Sequence, residues 1–83
     1  SDIVKHVIAP DGQTRVTFYR RSDGGFEFTQ DKLYVDDLPE YDHRIKYWVP
    51  GLSSGIFDSA ETAIREASVE YPWVFNGNDE RHS

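Results

Sequence analysis

Only one stretch of this chain has the apolar spacing of an amphipathic helix, and it lies near the C-terminus. Asp58 is placed to cap its first turn, with Glu61 three residues later as in a capping box. Pro72 ends it because proline lacks an amide donor. A single helix needs a sheet on which to bury its apolar stripe. The stripe follows i, i+3, i+4, i+7 and i+11 spacing: Ala60, Ala63, Ile64, Ala67 and Tyr71.

The chain before this helix alternates apolar and polar residues with the period of β-strands. We expect strands over residues 3–8, 13–21, 26–30 and 44–49. The segments 9–12 (APDG) and 22–25 (SDGG) have the chemistry of tight turns and separate the first three strands. The sequence therefore predicts an α+β fold: an antiparallel three- or four-stranded β-meander with one C-terminal amphipathic helix packed on one face.

The side on which the apolar residues fall changes along the predicted third strand. Phe26 and Phe28 fall on one side of it, whereas Leu33 and Val35 fall on the other. Either a one-residue bulge near residues 30–32 keeps one face inward, or the strand ends there. Both alternatives are compatible with the pattern.

Length and composition limit the class of protein. The 83 residues suffice for one domain, which we expect over residues 1–75, followed by a frayed polar tail over 76–83. The absence of cysteine favours a reducing, cytoplasmic compartment. No apolar run approaches the roughly 18 residues of a membrane span, so we expect a soluble protein with no membrane partner. The net charge of −6 disfavours a general nucleic-acid coating protein.

The sequence offers little support for catalysis or cofactor binding. It contains no cysteine nucleophile and no phosphate-binding glycine loop, and its Gly-x-Ser-x-Gly match, residues 51–55 (GLSSG), lies in a predicted connecting loop. The acidic segment 36–43 offers oxygen ligands but lacks the order of a calcium loop, so we interpret it as a solvated loop. We expect no enzyme activity, no cofactor and no metal.

The two faces of the predicted sheet differ in character. Seven apolar residues share the parity that would face the helix: Val16, Phe18, Phe26, Phe28, Ile45, Tyr47 and Val49. The opposite face is polar, basic and aromatic: Arg15, Thr17, Tyr19, Arg21, Glu27, Thr29, Arg44, Lys46 and Trp48. Six of these form the predicted interaction surface, here named the basic-aromatic face: Arg15, Tyr19, Arg21, Arg44, Lys46 and Trp48. Arginine, tyrosine and tryptophan are enriched at binding hot spots.

Several functions are compatible with such a face. The first hypothesis is a small non-enzymatic protein-interaction module, an inhibitor or immunity-type protein or an accessory subunit, whose partner is another protein or a second copy of the chain. The alternative is a domain that stacks single-stranded nucleic acid on the same face. A third is a small enzyme or ligand-binding domain. The face could also be a solvated sheet surface with no partner.

Overall fold

The fold is an antiparallel β-meander that packs one helix on one face. The structure, a computed structural model, describes residues 2–38, 40, 43–75 and 78–79. Four strands follow one another in the chain: β1 (Asp2–Ile8), β2 (Thr14–Arg20), β3 (Phe26–Leu38) and β4 (His43–Ser53). Each is antiparallel to the next, and the helix α1 (Ala60–Glu70) follows them. The predicted α+β meander with one packed helix is confirmed.

Both predicted turns form as their glycines suggest. Gly12 has φ +72° and its amide donates to the Ala9 carbonyl at 2.9 Å, which closes the first turn. Gly24 has φ +91°, in the second turn. There the Asp23 carboxylate accepts the Gly25 amide at 3.0 Å, and this hydrogen bond lowers the pKa of Asp23. Local turn chemistry thus sets the register of the first three strands.

The third strand is longer than predicted and has no bulge of its own. β3 runs unbroken to Leu38, so the segment expected to be a loop from residue 36 is strand as far as residue 38. The extra residue lies in β4: two steps along β3, from Thr29 to Asp31, match three along β4, from Ser53 to Pro50. Gly51 lies within this bulge, where a Cβ would come within 2.6 Å of the Gln30 carbonyl oxygen.

The hydrophobic core lies between the helix and one face of the sheet. Phe28 is at its centre, with ring centroids 5.9 Å from both Phe18 and Phe57. Residue 57 joins the sheet by a bridge to Phe26, with two backbone hydrogen bonds of 2.7 and 2.8 Å. The buried apolar residues of this cluster are Val7, Val16, Phe18, Phe28, Ala63, Ala67 and Val74.

The helix begins one residue later than the predicted cap implies. Ser59, not Asp58, is the N-cap, because its hydroxyl accepts the Thr62 amide at 3.1 Å. The two hydroxyls of Ser59 and Thr62 are also hydrogen-bonded, at 2.9 Å. Small residues on the buried side, Ala63 and Ala67, let α1 lie against β2 and β3. None of the described helices is long and apolar enough to cross a membrane.

A fifth strand lies in the segment expected to be a frayed tail. β5 (Asn78–Asp79) pairs antiparallel with the end of β1, at Val7 and Ile8. The sheet order is therefore β4-β3-β2-β1-β5. Pairing at this edge satisfies backbone groups of β1 that a four-stranded meander would leave open. The rest of the predicted tail, residues 76–77 and 80–83, lies outside the described residues.

Candidate interaction surface

The basic-aromatic face is spread along the sheet rather than gathered at one point. Arg15 and Tyr19 in β2 and Arg44, Lys46 and Trp48 in β4 share the parity of the face away from the helix. Arg21 follows the end of β2. Tyr19 is opposite residue 27 of β3, whereas Lys46 is opposite residue 35. Eight residues of strand correspond to about 27 Å. Tyr19 and Arg21 therefore lie at one end of the sheet, and Arg44 and Lys46 at the other.

At the centre of this face, Arg15 is held by an aromatic ring and a carboxylate. Its guanidinium carbon lies 4.6 Å from the ring centroid of Trp48, a cation–π contact. Its Nε donates to Asp31 Oδ2 at 2.8 Å. Asp31 is fully buried, with 0% of its surface exposed. Part of the predicted face is thus a largely buried Arg15–Asp31 ion pair next to the Trp48 ring, rather than a solvent-exposed cation.

Two threonines and a histidine complete the buried network around this carboxylate. Thr17 donates to Asp31 Oδ2 at 2.5 Å, and Thr29 donates to Asp31 Oδ1 at 2.8 Å. His6 Nδ1 lies 2.8 Å from the Thr17 hydroxyl oxygen. Because the single hydroxyl proton of Thr17 goes to Asp31, His6 Nδ1 carries the proton of that hydrogen bond. Residues 15 and 17 of β2 lie directly opposite 31 and 29 of β3, so strand register assembles the network.

Arg21 is also paired with carboxylates. Its Nε lies 3.2 Å from Asp23, and Nη1 lies 3.3 Å from Glu27. The hydrogen bond and the charge of Asp23 raise the pKa of Arg21. Arg44 and Lys46 differ from these arginines. Both are exposed, and neither forms an ion pair with any residue in the described part of the chain.

Three residues assigned to the core by their parity are exposed. Ile45, Tyr47 and Val49 lie on the helix side of the sheet, yet 41%, 41% and 39% of their surfaces are accessible. The helix is too short to cover these three residues. The 11-residue helix is about 16 Å long, whereas the 13 residues of β3 extend about 43 Å. The helix covers β2 and the near half of β3, and the far half stays uncovered.

The uncovered part is a two-stranded ribbon, here named the projecting hairpin (residues 34–38 and 43–49). Pairing of β3 with β2 ends at Lys32 and Thr14, so beyond this point β3 has β4 as its strand neighbour. The molecule is correspondingly elongated, 48 × 27 × 23 Å. A two-stranded ribbon is marginally stable by itself in water.

The helix-side face of the projecting hairpin forms an apolar patch of Tyr34, Ile45, Tyr47 and Val49. The rings of Tyr34 and Tyr47 are stacked with centroids 6.0 Å apart, and Tyr34 is 49% exposed. The Tyr47 hydroxyl donates to Asp36 at 3.4 Å. The negative charge of Asp36 is the main cause that raises the pKa of Tyr47. The hydroxyl therefore stays protonated near neutral pH, and the charges beside the patch are those of Asp36, opposite Ile45, and Lys32, opposite Val49.

Surface depressions elsewhere offer little chemistry. One of them, of about 550 Å³, lies beside the second turn. Its lining contains one hydroxyl and no histidine or cysteine: Asp2, Arg20, Arg21, Ser22, Gly24 and Phe26. No cluster of three potential metal ligands occurs among the residues that the structure describes. Residues 39, 41 and 42 of the predicted acidic loop lie outside that set.

No family model matches the chain, and neither the curated proteins nor the solved structures contain a match. Function must therefore be inferred from the side chains of the projecting hairpin and of the basic-aromatic face.

Proposed function

We propose that this chain is a non-enzymatic protein-interaction module that binds its partner through the projecting hairpin. The observation that supports this most strongly is the apolar patch of Tyr34, Ile45, Tyr47 and Val49, each at least 39% exposed. Contiguous apolar patches outside the core mark interaction sites in soluble proteins. Tyrosine is among the residues that supply binding energy at such sites.

The reverse side of the same hairpin extends the proposed site. Lys46 and Arg44 are exposed there, and Trp48 is half-buried beside them. A partner that binds both faces of the hairpin would contact aromatic residues on one face and cations on the other. This half of the basic-aromatic face is thus retained in the proposal, whereas Arg15 is mainly a structural residue.

The charge distribution favours a protein over single-stranded nucleic acid. Arg15 and Arg21 are paired with carboxylates, which reduces the positive charge available for phosphates. The apolar patch has one carboxylate, Asp36, and one cation, Lys32, beside it, and the chain as a whole has a charge of −6. We propose a cytoplasmic role as an inhibitor, an immunity-type protein or an accessory subunit, in keeping with the cysteine-free composition.

The proposal predicts that loss of the two stacked tyrosines abolishes partner binding. Tyr34→Thr/Tyr47→Thr removes both rings but keeps residues that favour strands. Val69→Thr is the matched control, because Val69 is 76% exposed on the helix, away from the hairpin. Tagged parent and both variants are used to capture partners from native lysate, with and without nuclease, and circular dichroism confirms that each is folded.

We expect the parent and Val69→Thr to retain a protein that the tyrosine variant loses, with nuclease making no difference. Recovery of the same proteins by all three would refute the hairpin as the site. Capture that disappears after nuclease treatment would support the nucleic-acid alternative instead.

A further inference from the structure

We propose that the outer edge of β4 accepts an extended segment of a partner protein as an additional strand, and that this segment has acidic residues on one face and apolar residues on the other. This inference rests on the proposed function and specifies the chemistry of the partner. β4 is an edge strand, since β3 lies on one side and no described strand lies on the other. The unpaired N–H and C=O groups of an edge strand are a template for strand addition.

The charge of β4 indicates which kind of segment can pair with its outer edge. Residues 44–53 contain two cations and no carboxylate. Asp37 lies opposite Arg44 within the hairpin, but Lys46 lies opposite Val35 and has no acidic cross-strand neighbour. Pairing β4 with a second copy would bring four cations together across the new interface, which is destabilising. Carboxylates on an added strand would instead complement both Arg44 and Lys46.

The alternation of β4 defines the pattern of the added strand. Directly opposed residues of neighbouring strands project to the same side of the sheet. Acidic residues of the partner would therefore extend the face that carries Arg44 and Lys46. Its intervening residues would extend the opposite face beside Ile45, Tyr47 and Val49. The added strand would shield these apolar side chains without requiring the helix to move.

A synthetic peptide tests this chemistry directly. The probe is the blocked octapeptide TDVEVDVT, and the control is TKVKVKVT, which has the same apolar positions and the opposite charge. Each is titrated into the full ¹⁵N-labelled chain, and amide chemical shifts are followed. We expect saturable shifts concentrated in residues 43–50 with the acidic peptide. The basic peptide should bind about tenfold more weakly, because like charges directly opposite Arg44 and Lys46 are destabilising.

The charge-reversed variant Arg44→Glu/Lys46→Glu provides the complementary test. It should prefer the basic peptide by a similar factor, and salt should weaken both matched pairs. Equal affinity for the two peptides, or no shifts in β4 at millimolar peptide, would overturn the proposal. It would also be overturned if the parent alone showed concentration-dependent shifts in β4, or if an oligo-dT strand competed with the acidic peptide for the same amides.

The peptide titration and the capture experiment together distinguish a failure of strand addition from a failure of the proposed function. If the peptides fail but Tyr34→Thr/Tyr47→Thr still loses its captured partner, strand addition is wrong and the hairpin remains the binding site. If both experiments fail, the proposed function fails as well.

Discussion

Replacing Asp31 with alanine is expected to destabilise the domain by about 3–5 kcal/mol, because the change leaves Arg15 without its buried partner. The side chain of Asp31 is 1% exposed and that of Arg15 is 15% exposed. The hydroxyls of Thr17 and Thr29 would lose their acceptor as well. Domains of this size are stable by roughly 4–12 kcal/mol. The variant should therefore unfold at a much lower urea concentration than the parent, as followed by circular dichroism.

An exposed carboxylate in the same strand serves as the control. Asp37→Ala should change the unfolding free energy by less than about 0.5 kcal/mol. The double variant Arg15→Met/Asp31→Leu should recover the part of the loss that comes from separating Arg15 from Asp31, because an apolar pair often replaces a buried ion pair without a penalty. It should not recover the part that comes from the Thr17 and Thr29 hydroxyls, which still lack their acceptor. Equal urea midpoints for Asp31→Ala and Asp37→Ala would show that the buried network contributes little.

Phe28→Ala is expected to cost about 3–5 kcal/mol by opening a cavity in the centre of the core. Phe28 is 6% exposed and lies between the rings of Phe18 and Phe57. Phe75→Ala removes a ring of the same size from a position that is 70% exposed, and it should cost well under 1 kcal/mol. Urea unfolding of the two variants gives the comparison. A similar loss in both would mean that the core is not centred on Phe28.

The features predicted correctly from sequence are those determined by neighbouring residues. Gly12 and Gly24 adopt positive φ in the two turns, and Pro72 lies just after the last helical turn. Alternation placed Val16 and Phe18 on the covered face of β2. In each case a local torsion or a short period decides the structure, so a single sequence is enough to predict it.

The exposure of Ile45, Tyr47 and Val49 depends on the relative lengths of distant elements. Alternation identifies the face on which a side chain lies, but not whether another element reaches that far. The decisive length is that of β3, which continues through Asp36 and Asp37 although aspartate is disfavoured in strands. Because these carboxylates are interpreted as the start of a loop, the predicted hairpin is too short and its apolar patch is not recognised.

Sequence reasoning also missed the burial of Asp31. An aspartate in a polar stretch is normally solvated. The signal was present as two facing pairs, Arg15-x-Thr17 and Thr29-x-Asp31, in which alternate residues share one face of the sheet. Its meaning depends on the register between β2 and β3, which brings a cation and two hydroxyls to one carboxylate.

Site-specific photocrosslinking tests the role of the projecting hairpin most directly. Benzoylphenylalanine replaces Tyr47 in one protein and Val69 in a second, and both are irradiated in native lysate after nuclease treatment. We predict that the residue-47 probe forms a discrete covalent adduct with a protein partner and that the residue-69 probe does not. Adducts of the same mass and abundance from both positions, or none from residue 47, would contradict the assignment of the hairpin as the binding site.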